Sequence, residues 1–216
     1  MIRVLLADDH AVVRTGFRLL LEGAGDVRVV GEADSGEACI ARFDELAPDV
    51  VVLDLSMPGM GGLEALRRLR ARSSRARVLA LSAHDDSMHA RRALRQGALG
   101  FLSKRTAPET LLEGVRAVAA GNRYLDPHLA QDVTLAALDS EPSPLEQLSE
   151  REFEVFIRLA RGEAVQRIAA ELNLSASTVG THLYNIKQKL RATNQAELTL
   201  IALRAGLLLE SKEQER

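Results

Sequence analysis

Between Ile2 and Gly121 the chain alternates between short runs of aliphatic and β-branched residues and longer stretches of helical periodicity. Ile2–Ala7, Val27–Gly31, Val50–Leu53, Val78–Leu81 and Leu99–Leu102 are predicted strands. Ala11–Leu21, Gly36–Leu46, Gly62–Arg70, Ser87–Gln96 and Thr106–Gly121 are predicted helices. The last opens on a capping box of Thr106 with Glu109 and closes on Gly121. Few folds accept this order. Runs such as Val50-Val51-Val52-Leu53 must be covered on both faces, and short right-handed crossovers then build a parallel, doubly wound sheet. The expected class for residues 1–121 is α/β, with five parallel strands between two layers of helices.

The remainder is different. Residues 122–147 include "DSEPSPLEQ", with two prolines among polar residues, and read as a linker. Pro127–Leu138 is its one helical stretch. From Leu148 to about Leu208 the pattern is all helix: Glu150–Arg161, Ala164–Leu172, Ser175–Leu190 and Gln195–Ala205. "LSERE" forms a second capping box, Ser149 with Glu152, and Leu148 with Phe153 form a hydrophobic staple. A length of 216 residues fits two such domains.

Composition excludes more than it selects. Aromatic residues are 3% of the chain and Trp is absent, which argues against a wide aromatic pocket for a flat ligand. One cysteine, Cys39, makes no intramolecular disulfide and fits a reducing cytoplasm. The apolar start of "MIRVLLADDH" is too short for a signal peptide or a membrane span, and no longer stretch could span a bilayer. The net charge of −2 gives no global argument for nucleic acid, so any such argument must rest on local charge.

The chemistry lies at strand ends. Asp8 and Asp9 follow the first strand, Asp54 the third, Ser82 ends the fourth and Lys104 follows the fifth. In the flavodoxin-like order 2-1-3-4-5, the first and third strands are neighbours at the switch point, where ligands of such sheets bind. Three converging carboxylates repel one another unless a cation is present. Mg²⁺, a hard ion that keeps waters for a phosphate oxygen to replace, suits them. A hydroxyl and an ammonium on the same edge suit a phosphoryl group, and an aspartate beside the ion is a nucleophile toward phosphorus. Each residue alone has an ordinary explanation, as a solvated turn, a cap or a surface charge. The joint pattern does not.

The matching segments "LLADDH", "VVLDLSMPGMGG", "LALSAH" and "GFLSKRTAPETL" resemble the receiver domain of bacterial two-component response regulators. The resemblance implies that Asp54 accepts a phosphoryl group from a sensor histidine kinase. It implies that Asp9, Asp54 and the Ser56 carbonyl bind Mg²⁺ directly, with Asp8 acting mostly through water. Ser82 and Phe101 take the family's switch positions, and Lys104 is the phosphate partner.

The segment "IAAELNLSASTVGTHLYNIKQKL" is a helix, a turn and a second helix capped by Ser175. Val179, Leu183, Ile186 and Leu190 form one apolar stripe. The opposite face carries Ser177, Thr178, Thr181, Tyr184, Asn185 and Gln188, which suit base edges in a major groove. Lys187, Lys189 and Arg191 lie at the flanks and suit phosphates. No acidic residue occurs between Leu172 and Ala196. An ordinary exposed helix would mix Glu with Lys. "LSERE", the glycine of "RLARGEAVQRIAAEL" and "LSASTVGTHLYNIKQKL" resemble the LuxR-type helix-turn-helix of NarL/FixJ response regulators. Gly180 departs from that pattern, since many relatives carry lysine there.

Together these features predict a phosphorylation-controlled transcription factor rather than an enzyme. It would bind double-stranded DNA, as a homodimer when phosphorylated or DNA-bound. Three other readings compete. A phosphohydrolase with an aspartate nucleophile needs a second acid two residues on, where Ser56 stands. A LuxR regulator that senses a small molecule lacks the strand-end residues. A regulator with a vestigial acidic pocket would work without phosphate.

Overall fold

The computed structural model describes residues 1–83, 87–126, 128–129, 144–172, 174–205 and 207–208. The chain divides into two compact units, Met1–Glu141 and Pro142–Arg216.

The first unit holds β1 (Ile2–Ala7), α1 (Ala11–Gly23), β2 (Val27–Ala33), α2 (Gly36–Leu46), β3 (Val50–Asp54), α3 (Gly61–Arg72), β4 (Val78–Ser82), α4 (Ser87–Arg95), β5 (Gly100–Ser103), α5 (Ala107–Ala119) and β6 (Tyr124–Leu125). The strands lie in the order β2-β1-β3-β4-β5-β6 and every pairing is parallel. The strand period of two sorts side chains between two cores. Leu5, Val51, Leu53, Val78, Ala80 and Phe101 face one core, which includes Cys39 and Ile40 of α2, Leu66 and Leu69 of α3, and Ala90 and Ala93 of α4. Val4, Leu6, Val50, Val52, Leu79, Leu81 and Leu102 face the other, with Phe17 and Leu21 of α1 and Leu111 and Val115 of α5. β3 and β4 are thus apolar up to Asp54 and Ser82 at their carboxyl ends, because both of their faces are covered.

Among the described residues the sheet has six strands, not five. Tyr124–Leu125 pairs with Gly100–Phe101 within the segment expected to be linker. Two residues are too short to show a period, so composition alone governed the prediction there. Of the helix expected over Pro127–Leu138, His128 and Leu129 are helical, and the rest lies outside the described residues. The capping box expected at Thr106 is absent: its side chain makes no cap bond. Instead Thr106 Oγ1 donates to Ser103 O at 3.2 Å and to Asp126 Oδ2. The buried Asp126 carboxylate also accepts from the amides of Ser103, at 3.3 Å, and His128, at 3.0 Å. A charged acceptor from a distant segment has captured the hydroxyl that a local cap would have used.

The second unit opens with a 3-10 turn, Pro144–Gln147, followed by α6 (Glu150–Ala160), α7 (Val165–Glu171), α8 (Ala176–Leu190) and α9 (Gln195–Arg204). The capping box of Ser149 and Glu152 is complete in both directions. Phe153, Phe156, Leu159, Ile168, Val179, Ile186, Leu190 and Leu198 form the buried interior. Gln195 and Thr199 of α9 donate to the Leu159 and Ala160 carbonyls that end α6, at 2.8 and 3.0 Å. The Ala160 acceptor at the helix end is thereby satisfied, and Leu159 O, which already accepts from the Gly162 amide at 2.9 Å, gains a second donor. No helix among the described residues is long and apolar enough to cross a membrane.

Candidate functional site

Strand order fixes the site. β1 and β3 pair side by side, Ala7 against Leu53, so the residues that follow them share one edge. Oxygens of Asp8, Asp9 and Asp54 and a ring nitrogen of His10 all lie within 4.8 Å of one another. Asp8 and Asp54 are fully buried. On the other side, β4 pairs Ser82 with Ser103, and the amide of Lys104 donates to the Ser82 carbonyl at 2.7 Å. Lys104 Nζ then reaches 2.6 Å from Asp8 Oδ2 and 2.9 Å from Asp54 Oδ2. Ser82, also fully buried, ends β4 at this edge.

Glycine brings the backbone close behind Asp54. A Cβ on Gly62 would lie 2.0 Å from the Asp54 carbonyl oxygen. Only a bare α-carbon allows α3 to start there, where the Gly62 amide donates to Leu55 O at 3.0 Å. The Ser56 amide donates to Asp54 Oδ1 at 3.0 Å and fixes the carboxylate's rotation.

The electrostatics are those of two buried carboxylates with one ammonium. Burial pushes the Asp54 pKa up to about 6; Lys104 opposes the rise and Asp8 adds to it. Burial also disfavours the Lys104 charge, but Asp54 and Asp8 together outweigh this and raise its pKa. Asp8 Oδ2, Asp9 Oδ1 and Asp54 Oδ2 are buried without an aligned hydrogen-bond donor. Lys104 lies within ion-pair distance of the first and third, and His10 Nδ1 lies 2.8 Å from the second. Buried carboxylate oxygens left short of donors fit a hard divalent cation.

Phe101 is fully buried in the core shared with α2, α3 and α4. Two neighbours of the site escaped the sequence reading. His10 is exposed and sits against Asp9; an imidazole directly after an acid pair was the available signal. Asp126 ties the loop carrying Lys104 to the segment after β6. Its signal was the Asp-Pro pair, a sequence pattern typical of helix starts.

In the second unit α8 presents its uncharged face to solvent. Ser177, Thr181, Tyr184 and Gln188 are exposed, and Thr178 and Asn185 are half-buried. Of the expected apolar stripe, Val179, Ile186 and Leu190 are buried and Leu183 is half-buried. The flanking cations divide. Lys187 Nζ donates to Thr193 O at 3.0 Å, and Lys189 Nζ lies 2.5 Å from Glu152 Oε2. Arg191 is exposed at the helix end, in the left-handed region with φ of 54°. Glu152 therefore serves both its own capping box and Lys189. Burial works against its charge, but Lys189 and Ser149 hold its pKa below the usual carboxylate value.

A doubly wound sheet with this strand-end cluster, followed by a helix-turn-helix unit, defines a class of two-part regulator, and comparison with known proteins agrees. Residues 4–116 match the response regulator receiver domain family, and residues 146–202 match the bacterial regulatory proteins, luxR family. Response regulator UvrY of Escherichia coli (strain K12) is 39% identical over 209 residues, which span 96% of each chain. Response regulator GacA of Pseudomonas aeruginosa is 39% identical over 210 residues, 96% of this chain and 98% of that one. A solved structure of RcsB from Salmonella enterica serovar Typhimurium, bound to promoter rprA in the presence of phosphomimetic BeF3-, is similar over 93% of this chain and 98% of its own. Its identity is 27% and its TM-score 0.57. The chain belongs to the two-component response regulators of the NarL/FixJ group, with a receiver followed by a LuxR-type helix-turn-helix domain.

Proposed function

We propose that Asp54 is the phosphoacceptor, that its partner is a sensor histidine kinase, and that phosphorylation controls promoter binding through α8. The observation that carries this reading is the meeting of Asp8, Asp54 and Lys104 within 2.9 Å at the carboxyl edge of the sheet. An Asp54 carboxylate oxygen attacks the phosphorus of a phosphohistidine. The P–O bond forms as the P–N bond breaks, and the bonding electrons leave with the imidazole nitrogen, which takes up a proton. Lys104 pairs with an oxygen of the transferred group, and Ser82 donates its hydroxyl to another. Asp8, Asp9, Asp54 and the Ser56 carbonyl would hold Mg²⁺, which when bound would screen the carboxylates and neutralise charge on the phosphoryl oxygens. Ser56 stands where a hydrolase would place its second acid, and this supports a phosphoacceptor over a phosphohydrolase. Engagement of Ser82 and movement of Phe101 then shift a two-state equilibrium toward a DNA-binding dimer. Leu200 and Leu203, exposed on α9, offer an apolar face for that dimer.

The test is to treat the full chain with Mg²⁺ and beryllofluoride, then measure oligomeric state and DNA affinity together at fixed salt. Dimers and tighter binding are expected. Unchanged mass and unchanged affinity would refute control by phosphate.

Lys104→Ala supplies a second test. Removing the ammonium leaves Asp8 and Asp54 buried and mutually repelling. The thermal midpoint should fall in metal-free buffer, and added Mg²⁺ should raise it more in the variant than in the wild type. Calorimetry with and without the ion measures both. An equal Mg²⁺ increment in the two proteins would mean that the lysine and the ion do not share a site.

A further inference from the structure

Glycine inside a helix lowers stability relative to alanine, so each such residue has a cause to be found. At most of the other described glycines the causes are visible, Gly16 and Gly23 of α1 excepted. Gly31, Gly36, Gly62, Gly100 and Gly114 face atoms that a Cβ would crowd, and Gly25, Gly59, Gly61, Gly97, Gly121 and Gly162 have positive φ. Gly180 has neither cause. It lies in the interior of α8, is exposed, has no positive φ, and a Cβ built on it meets nothing within 4 Å. Among the described helix-interior glycines only Gly16 of α1 is equally open. Nothing among the described residues of the second unit requires the missing side chain at position 180.

The surroundings of Gly180 are those of a recognition face. Ser177 lies one turn before it and Tyr184 one turn after, on the same side of the helix. Helical side chains lean toward the N-terminus, so the exposed Tyr184 leans over the turn that holds Gly180. No atom of Tyr184 comes within 4 Å of the Cβ position, so the ring does not fill the gap. Ser177 and Tyr184 therefore flank a bare patch of helix backbone, a shallow notch in a face otherwise made of hydrogen-bonding groups. The major groove offers one apolar group that fits a notch without donors or acceptors, the C5 methyl of thymine.

We propose that Gly180 is a specificity-determining position. Its missing side chain lets α8 approach the groove floor closely enough for a thymine methyl to pack between Ser177 and Tyr184. The proposal rests on the DNA-binding reading of α8 and adds which base the bare position selects.

The experiment uses the full chain and a pool of random-sequence duplex DNA, from which wild type selects its preferred duplexes. Wild type, Gly180→Ala and Gly180→Gln are then compared on a selected duplex, a scrambled duplex, and the selected duplex with single thymines replaced by uracil. Both variants should have a higher thermal midpoint than wild type, because the helix gains propensity. Affinity for the selected duplex should fall about tenfold in Gly180→Ala and further in Gly180→Gln, with little change on the scrambled duplex. One thymine-to-uracil replacement should weaken wild type and leave both variants unaffected. If the variants bind the selected duplex as tightly as wild type, or no uracil replacement matters, the notch has no role and the proposal is overturned while DNA binding stands. If wild type binds no duplex, the DNA-binding reading itself fails and takes this inference with it.

Discussion

Asp54→Asn accepts no phosphoryl group, and its DNA affinity no longer responds to a small phosphodonor with Mg²⁺. The substitution preserves shape and removes the nucleophile, so the loss of transfer should be complete rather than graded. Intact mass and a DNA-binding titration read the two effects. Phosphodonor dependence that survives the substitution would place the acceptor elsewhere. The same variant has a second, opposite effect on stability. Asp54 ionises near pH 6 in the folded protein against 3.8 for the unperturbed group. Between these values the folded state holds more protons than the unfolded one, so stability falls as pH rises through the window. Asparagine has no proton to lose. In metal-free buffer at pH 7 the variant should therefore melt above wild type, and the difference should shrink toward pH 4. Thermal melts at several pH values measure this, and a variant less stable than wild type throughout would mean that Asp54 is a net stabilising charge.

Gly62→Ala is expected to be among the most damaging single-methyl changes in the receiver. The added Cβ would lie 2.0 Å from the Asp54 carbonyl oxygen and 2.5 Å from the Leu55 α-carbon, both backbone atoms that no rotamer change can move. Either the start of α3 or the end of β3 must shift. Overpacking of this kind costs about 1–3 kcal/mol or more, and the shift carries Asp54 away from Lys104. Chemical denaturation should show the loss of stability, and phosphorylation should slow in the molecules that remain folded. A variant with wild-type stability and phosphorylation rate would show that the loop yields freely.

How much of this was legible beforehand depended on whether the deciding forces were local. The strands and helices of the first unit follow from period. Their order follows from handedness and burial, and that order alone brought Asp8, Asp54, Ser82 and Lys104 to one edge. What was missed was decided by partners far along the chain. Thr106 has the sequence of an N-cap, yet its hydroxyl bonds Asp126, twenty residues on. Tyr124–Leu125 is a strand only because the edge of β5 was open to it. Lys189 pairs with Glu152 of α6, a partner that no pattern within α8 could show. The space around Gly180, too, is defined by neighbouring turns in three dimensions and not by spacing.

The decisive chemistry is transfer to one carboxylate, and the position of the phosphoryl group can be located. The full chain is incubated with Mg²⁺ and acetyl phosphate, digested, and its modified peptide sequenced by mass spectrometry. One phosphoryl group is expected, on Asp54, within the peptide that contains Asp54–Gly59. A group on Asp8, Asp9 or any other side chain, or an unmodified chain under conditions that phosphorylate a control receiver, would contradict it.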